Sequence, residues 1–107
     1  MNAKARISVV RQSTDDVGYR QIFVRLDGDD IAVLRHGGGA TREIAVGPHV
    51  LKVHNTLFRK QVEFELHDGE HARFVVVNRA GFGTHFMTGI LGAGPVYLTV
   101  EREDVPV

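Results

Sequence analysis

The chain has no cysteine and no tryptophan, and its 107 residues include only two serines, two tyrosines and three prolines. Without cysteine there are no disulfides, thiolate zinc sites, iron–sulfur ligands or cysteine nucleophiles. The same absence fits a reducing compartment, and a cytoplasmic location is expected. Without tryptophan, a sugar-binding surface would depend on Tyr19 and Tyr97 as its phenolic platforms. Neither Ser8 nor Ser13 stands in GxSxG or another triad context. Excess charge is lacking too, since 13 basic residues balance 13 acidic ones. Nothing therefore steers the chain toward phosphate backbones or anionic lipid, and no nucleic-acid partner is expected. The six histidines would add positive charge below about pH 6.5. Long hydrophobic runs are missing as well. The start, MNAKARISVVRQSTDD, turns charged again too soon for a signal-peptide core. The most apolar window, residues 80–100, is interrupted by His85, Pro95 and five glycines, so no transmembrane segment is expected.

What is present is the composition of one folded domain over residues 1–107. The 43% apolar and 24% charged residues are ordinary for a globular chain and argue against disorder. Short alternating segments punctuated by glycine turns dominate. Residues 5–11 read as a first strand with Ile7 and Val9 on one face. Residues 19–26 place Ile22, Val24 and Leu26 on one face, with Phe23 interrupting the polar one. Asp27-Gly28 between two such runs is a hairpin signal, because glycine supplies a positive φ and aspartate tolerates one. Ile31 and Val33 are expected opposite the preceding strand. His36-Gly37-Gly38-Gly39 suits a hairpin end or a mobile tip. A phosphate cradle there would want GxxxxGK[ST] and a following helix, and neither is present.

Thr41 to Val46 is the next strand, with Ile44 and Val46 on one face, and Gly47-Pro48 punctuates it. Leu51, Val53 and Leu57 are expected inward, with Lys52 and His54 outward. Arg59-Lys60 reads as a bend. Val62, Phe64 and Leu66 alternate with Glu63 and Glu65. Asp68-Gly69 turns the chain into a strand carrying Phe74 and Val76, with Arg73, Val75 and Val77 on its other face. The last strand holds Val96, Leu98 and Val100 before a polar tail at residues 101–107. Seven strands and an eighth, without intervening helical patterns of ten or more residues, predict an all-β chain. The expected fold is a small antiparallel β-sandwich, immunoglobulin-like in outline.

Across residues 19–77, Leu26-Asp27-Gly28, Ile44, Val46, Gly47, His49, Leu51 and Val53 recur in a telling order. The chain there resembles small bacterial β-sandwich accessory modules of the PEGA and carboxypeptidase-regulatory-like groups. VEFELHDGEHARF is similar to the next hairpin of such modules. Pro48 follows Gly47, whereas the PEGA pattern has proline before the glycine. The resemblance implies an accessory, surface-associated or protein-binding fold with no catalytic residues to carry over.

Histidines are the candidate chemistry. His67 and His71 flank HDGEH, and a hairpin there would bring the two imidazoles across the ladder as a metal pair with Asp68 or Glu70. A polar hairpin tip accounts for the same residues. His49 and His54 are five apart, so a strand turns them to opposite faces. His49 fits a strand start bonded to a backbone group, and His85 sits inside an apolar loop. Glu63 and Glu65 share a strand face at about 7 Å, a separation that suits paired carboxylates but more commonly solubilises a sheet. The loop at residues 79–95 carries Phe82, Phe86, Met87, Ile90 and Leu91. Those residues either plug one end of the sandwich or meet a partner, a second copy or a membrane surface. The expected function is therefore a non-catalytic module for protein interaction or self-association, with no cofactor. Metal binding or metal-dependent catalysis by His67 and His71 is one alternative, and carbohydrate binding is the other.

Overall fold

A computed structural model describes residues 4–18, 20–56, 58–80 and 96–105. They form eight strands: β1 (Lys4–Val10), β2 (Ile22–Leu26), β3 (Asp29–Leu34), β4 (Gly39–Ala45), β5 (Gly47–His54), β6 (Arg59–Leu66), β7 (His71–Ala80) and β8 (Val96–Arg102). Two four-stranded sheets, β4–β1–β7–β8 and β3–β2–β5–β6, pack as a small β-sandwich. Neighbouring strands are antiparallel except β1 and β7, which run parallel.

Period-2 alternation decides which side chains meet between the sheets. One sheet contributes Ala5, Ile7, Val9, Ala72, Phe74, Val76 and Leu98; the other contributes Ile22, Val24, Leu34, Leu51, Val53, Phe64 and Leu66. Phe64 and Phe74 meet edge to face across the gap, with ring centroids 4.9 Å apart. Each large side chain so buried contributes roughly 1.5–3 kcal/mol of transfer free energy.

Asp27 and Gly28 both take positive φ (51° and 89°) and join β2 to β3 in the tight turn that their sequence signals. A β-bulge follows: Val24 pairs with Ala32 but Arg25 pairs with Asp30, which leaves Ile31 as the extra residue. Val33 does lie opposite Phe23, as expected, yet on the outer face, where it is 54% exposed.

Two connections that read as hairpins from sequence are crossings between the sheets. His36-Gly37-Gly38-Gly39 carries the chain from β3 to β4, which belong to different sheets. The Gly37 amide donates to Arg11 O at 2.6 Å, and the Arg11 amide donates to Gly38 O at 2.8 Å. A Cβ on Gly38 would stand 3.0 Å from Arg35 O, so close backbone approach explains the glycine there. Asp68-Gly69 likewise crosses from β6 to β7. Pro48 lies inside β5, where that strand pairs only with β6, a position that tolerates a missing N–H. Arg59 and Lys60 open β6 instead of forming a bend. Glu101 and Arg102 belong to β8, and the Glu103 and Val105 amides continue along β7 by donating to Arg73 O and His71 O. Leu57 and the side chain of Val96 lie outside the described residues.

The largest fully buried side chain among the described residues is not apolar. Arg11 follows β1 and has no exposed surface. Its Nε and Nη2 grip Asp16 at 2.8 and 3.1 Å, while Nη1 donates to Arg20 O and Leu34 O at 2.6 and 2.9 Å. Asp16 also accepts from the Gly18 and Asn78 amides, and Asn55 Nδ2 donates to Asn78 Oδ1. Burial pushes the Asp16 carboxyl upward, but the Arg11 guanidinium and the two amides outweigh it and hold the pKa below the ordinary value. Its stabilisation is therefore present above about pH 4, the unfolded value, and is lost as pH falls through the lowered folded value.

Truncating Arg11 strips the buried Asp16 carboxylate of its guanidinium partner. Arg11→Met is predicted to lower unfolding free energy by about 3–5 kcal/mol in urea titration. Arg11→Lys is predicted to recover only part of that loss, because a point charge cannot reproduce the two-toothed grip. Unchanged stability in Arg11→Met would contradict the assignment.

Candidate functional site

The outer face of β3–β2–β5–β6 is built by the same alternation that fills the core. Its first row across the strands is Val33, Phe23, His54 and Arg59; its second contains Arg25, Lys52 and Gln61. Phe23 and His54 are opposed across β2 and β5 and stack at 4.9 Å with an interplanar angle of 12°. A cross-strand pair of this kind contributes about 0.2–1 kcal/mol. Beside them a hollow of about 400 Å³ is lined by Arg25, Lys52, His54, Arg59, Lys60 and Gln61. Arg25 is paired with Asp30 at 3.0 Å. Lys52, Arg59 and Lys60 have no ion pair among the described residues. The result is a mixed aromatic and cationic surface with an exposed valine at its edge.

Toward the other end of the same face stand Val50 with Glu63, and then Pro48 with Glu65. The two glutamates are exposed, on the outer side of edge strand β6. A second hollow, of about 560 Å³, lies around Asp27, Pro48, Val50, Glu63 and Glu65.

His49 closes this end of the sandwich. Its Nδ1–H donates to Asp27 Oδ2 at 2.5 Å and its Nε2–H donates to Ala45 O at 2.7 Å. Two acceptors facing two ring nitrogens require the imidazolium, since a neutral ring has one N–H. Burial lowers the His49 pKa, but the Asp27 carboxylate and the Ala45 carbonyl outweigh it and raise the value above the ordinary one. Asp27 is also pushed up by burial, yet the His49 bond and the Val50 amide hold it below its usual range. The expectation that His49 bonds a backbone group holds, and Asp27 is the partner that sequence alone did not supply.

The other histidines go separate ways. His67 Nδ1 contacts Glu70 Oε1 at 2.5 Å, within its own turn. His71 Nε2 lies 2.6 Å from Ser8 Oγ, which is itself 2.7 Å from Thr41 Oγ1. Since β6 and β7 lie in different sheets, HDGEH is not the hairpin on which a His67–His71 pair was premised. Among the described residues no three His, Asp or Glu side chains converge as a metal cage. The Ser8–His71 contact, invisible in sequence, joins a hydroxyl to a base. Ser8, however, is only 5% exposed, in a strand paired on both sides, so neighbouring amides are spent on ladders and not aimed at an oxyanion. The contact ties β4, β1 and β7 together.

Phe82, Phe86, Met87, Ile90 and Leu91, with His85, lie outside the described residues, as does Tyr19. Tyr97 is in β8, in register with Arg79, and its side chain is not described. Among the described residues no helix is long and apolar enough to cross a membrane.

The His49–Asp27 clip gives a pH signature. His49 has a raised folded pKa, so its contribution is full below about pH 6.5, the unfolded value, and is lost as pH rises through the folded value. Asp27 contributes above about pH 4 and loses its part on further acidification. Unfolding free energy measured from pH 5.5 to 8.5 is predicted to fall more steeply in the wild type than in Asp27→Asn. Parallel curves would refute the clip. Comparison of the chain with protein-family models and with curated proteins finds no match.

Proposed function

We propose that this chain is a non-catalytic β-sandwich module that binds protein, and that the outer face of β3–β2–β5–β6 is its docking surface. The observation that carries the reading is the row Val33–Phe23–His54–Arg59 beside Lys52. It places an exposed aliphatic side chain, a stacked ring pair and unpaired cations on one rigid sheet. Aromatic residues and arginine are the types that protein interfaces favour, and a sheet face holds them without the ordering cost of a loop. The resemblance of residues 19–77 to PEGA and carboxypeptidase-regulatory-like modules supports the same reading, because it implies an accessory, surface-associated or protein-binding fold. An immunoglobulin-like outline belongs to the same proposal.

Photocrosslinking residues placed singly at Val33, Gln61 and Glu101 test it, the last lying on the outer face of the opposite sheet. Discrete protein adducts are expected from positions 33 and 61 and not from 101. The adducts should disappear when Lys52→Glu and Arg59→Glu are added. Equal yield from position 101, or no adduct from any position, would overturn the assignment.

A further inference from the structure

Resting on that reading of the face, we infer that the partner it fits is a second copy of this chain. The two copies would meet face to face about a two-fold axis that lies in the interface and runs across the strands. The evidence is the polarity of the face along β5 and β6. Outward side chains run from His54 and Arg59, through Lys52 and Gln61, to Val50 and Glu63, and then to Pro48 and Glu65. Lys52 and Arg59 make one end cationic, while Glu63 and Glu65 make the other anionic. Each end has its own hollow, about 400 Å³ at the basic end and about 560 Å³ at the acidic end.

An isologous contact uses the same patch twice, so that residue i meets residue j and j meets i. With the axis at the level of Gln61 to Glu63, the two β6 strands run in opposite directions over each other. Arg59 of each copy then comes over Glu65 of the other, and Lys52 comes beside Glu63. A two-fold axis parallel to the strands would instead set Arg59 on Arg59 and Glu65 on Glu65. Repulsion between like charges therefore selects the first arrangement over the second. His54 of each copy comes over Pro48 of the other, and the paired ends supply orientation. Lys52, Arg59, Glu63 and Glu65 are exposed, and none has an ion pair among the described residues, so each is available to a partner.

The test is light scattering on size-exclusion eluate over a range of concentrations, with two charge-reversed proteins. One carries Lys52→Glu and Arg59→Glu, which makes the whole face acidic. The other carries Glu63→Lys and Glu65→Lys, which makes it basic. The wild type is expected at twice the chain mass, with the dimer fraction falling as salt rises from about 0.05 to about 0.5 M. Each variant alone is expected to be monomeric, and an equimolar mixture of the two is expected to be dimeric. Recovery in the mixture also shows that both variants are folded. A wild type that stays monomeric up to about 1 mM, the limit of a weak contact, would overturn the inference. Variants that still dimerise alone, or a mixture that stays monomeric, would overturn it too. A monomeric wild type whose positions 33 and 61 still crosslink a foreign protein removes the second copy and leaves the docking face. Loss of both results removes both.

Discussion

The arrangement of the two sheets depends on the Arg11 guanidinium, which is sealed between them and cannot be left without acceptors. Taking such a charge out of water costs several kcal/mol, and only a complete set of partners offsets it. Those partners come from everywhere at once. Asp16 lies in the loop after β1, the Leu34 carbonyl ends β3, and the Arg20 carbonyl precedes β2. Asp16 in turn is held by the Asn78 amide of β7, whose side chain reaches Asn55 at the end of β5. Both sheets therefore have to be docked, in this register, before the charge is satisfied. The apolar core drives the sheets together but has no direction of its own. The polar network supplies that direction.

A second tie lies at the opposite end of the strands and differs in kind. His49 joins the β2–β3 turn to the end of β4, again linking the two sheets. Its charge is titratable, whereas the guanidinium of Arg11 is permanent near neutrality. One end of the sandwich is thus fixed across the neutral range, and the other loosens as pH rises. Between them the outer face of β3–β2–β5–β6 is a continuous sheet surface. The acidic hollow lies against the titratable clip, since Asp27 belongs to both. The basic end is built on the stacked Phe23 and His54, beside the terminus of β5 that Asn55 anchors.

Much of this architecture is legible in the sequence because strand alternation is a local property. Ile22, Val24, Leu26, Leu51, Val53, Phe64 and Leu66 all show their inward phase within a few residues. Asp27-Gly28 shows its turn for the same reason. What is not legible is pairing at long range. His36-Gly37-Gly38-Gly39 and Asp68-Gly69 carry turn residues whether the chain pairs back on itself or crosses to the other sheet. Choosing between those outcomes requires the sheet order. The bulge at Ile31 is similarly hidden, since it appears only as a slip between Arg25–Asp30 and Val24–Ala32. The candidate face was half visible: Phe23 stood out on a polar face, but its partner His54 lies 31 residues on. Arg11 and the Ser8–His71 contact gave no local signal, because a buried arginine and an exposed one look the same in sequence.

Native-state hydrogen exchange of the Arg11, Gly37 and Asn78 amides tests the inter-sheet clamp most directly. These amides surround the buried guanidinium yet sit at the end of the sandwich, where an unclamped structure would fray. If the clamp joins the sheets, all three exchange only through global unfolding, with the same opening free energy as Val53 and Phe74 in the central strands. Exchange about 100-fold faster than those core amides, through local opening, would show that the sheets hold together without it.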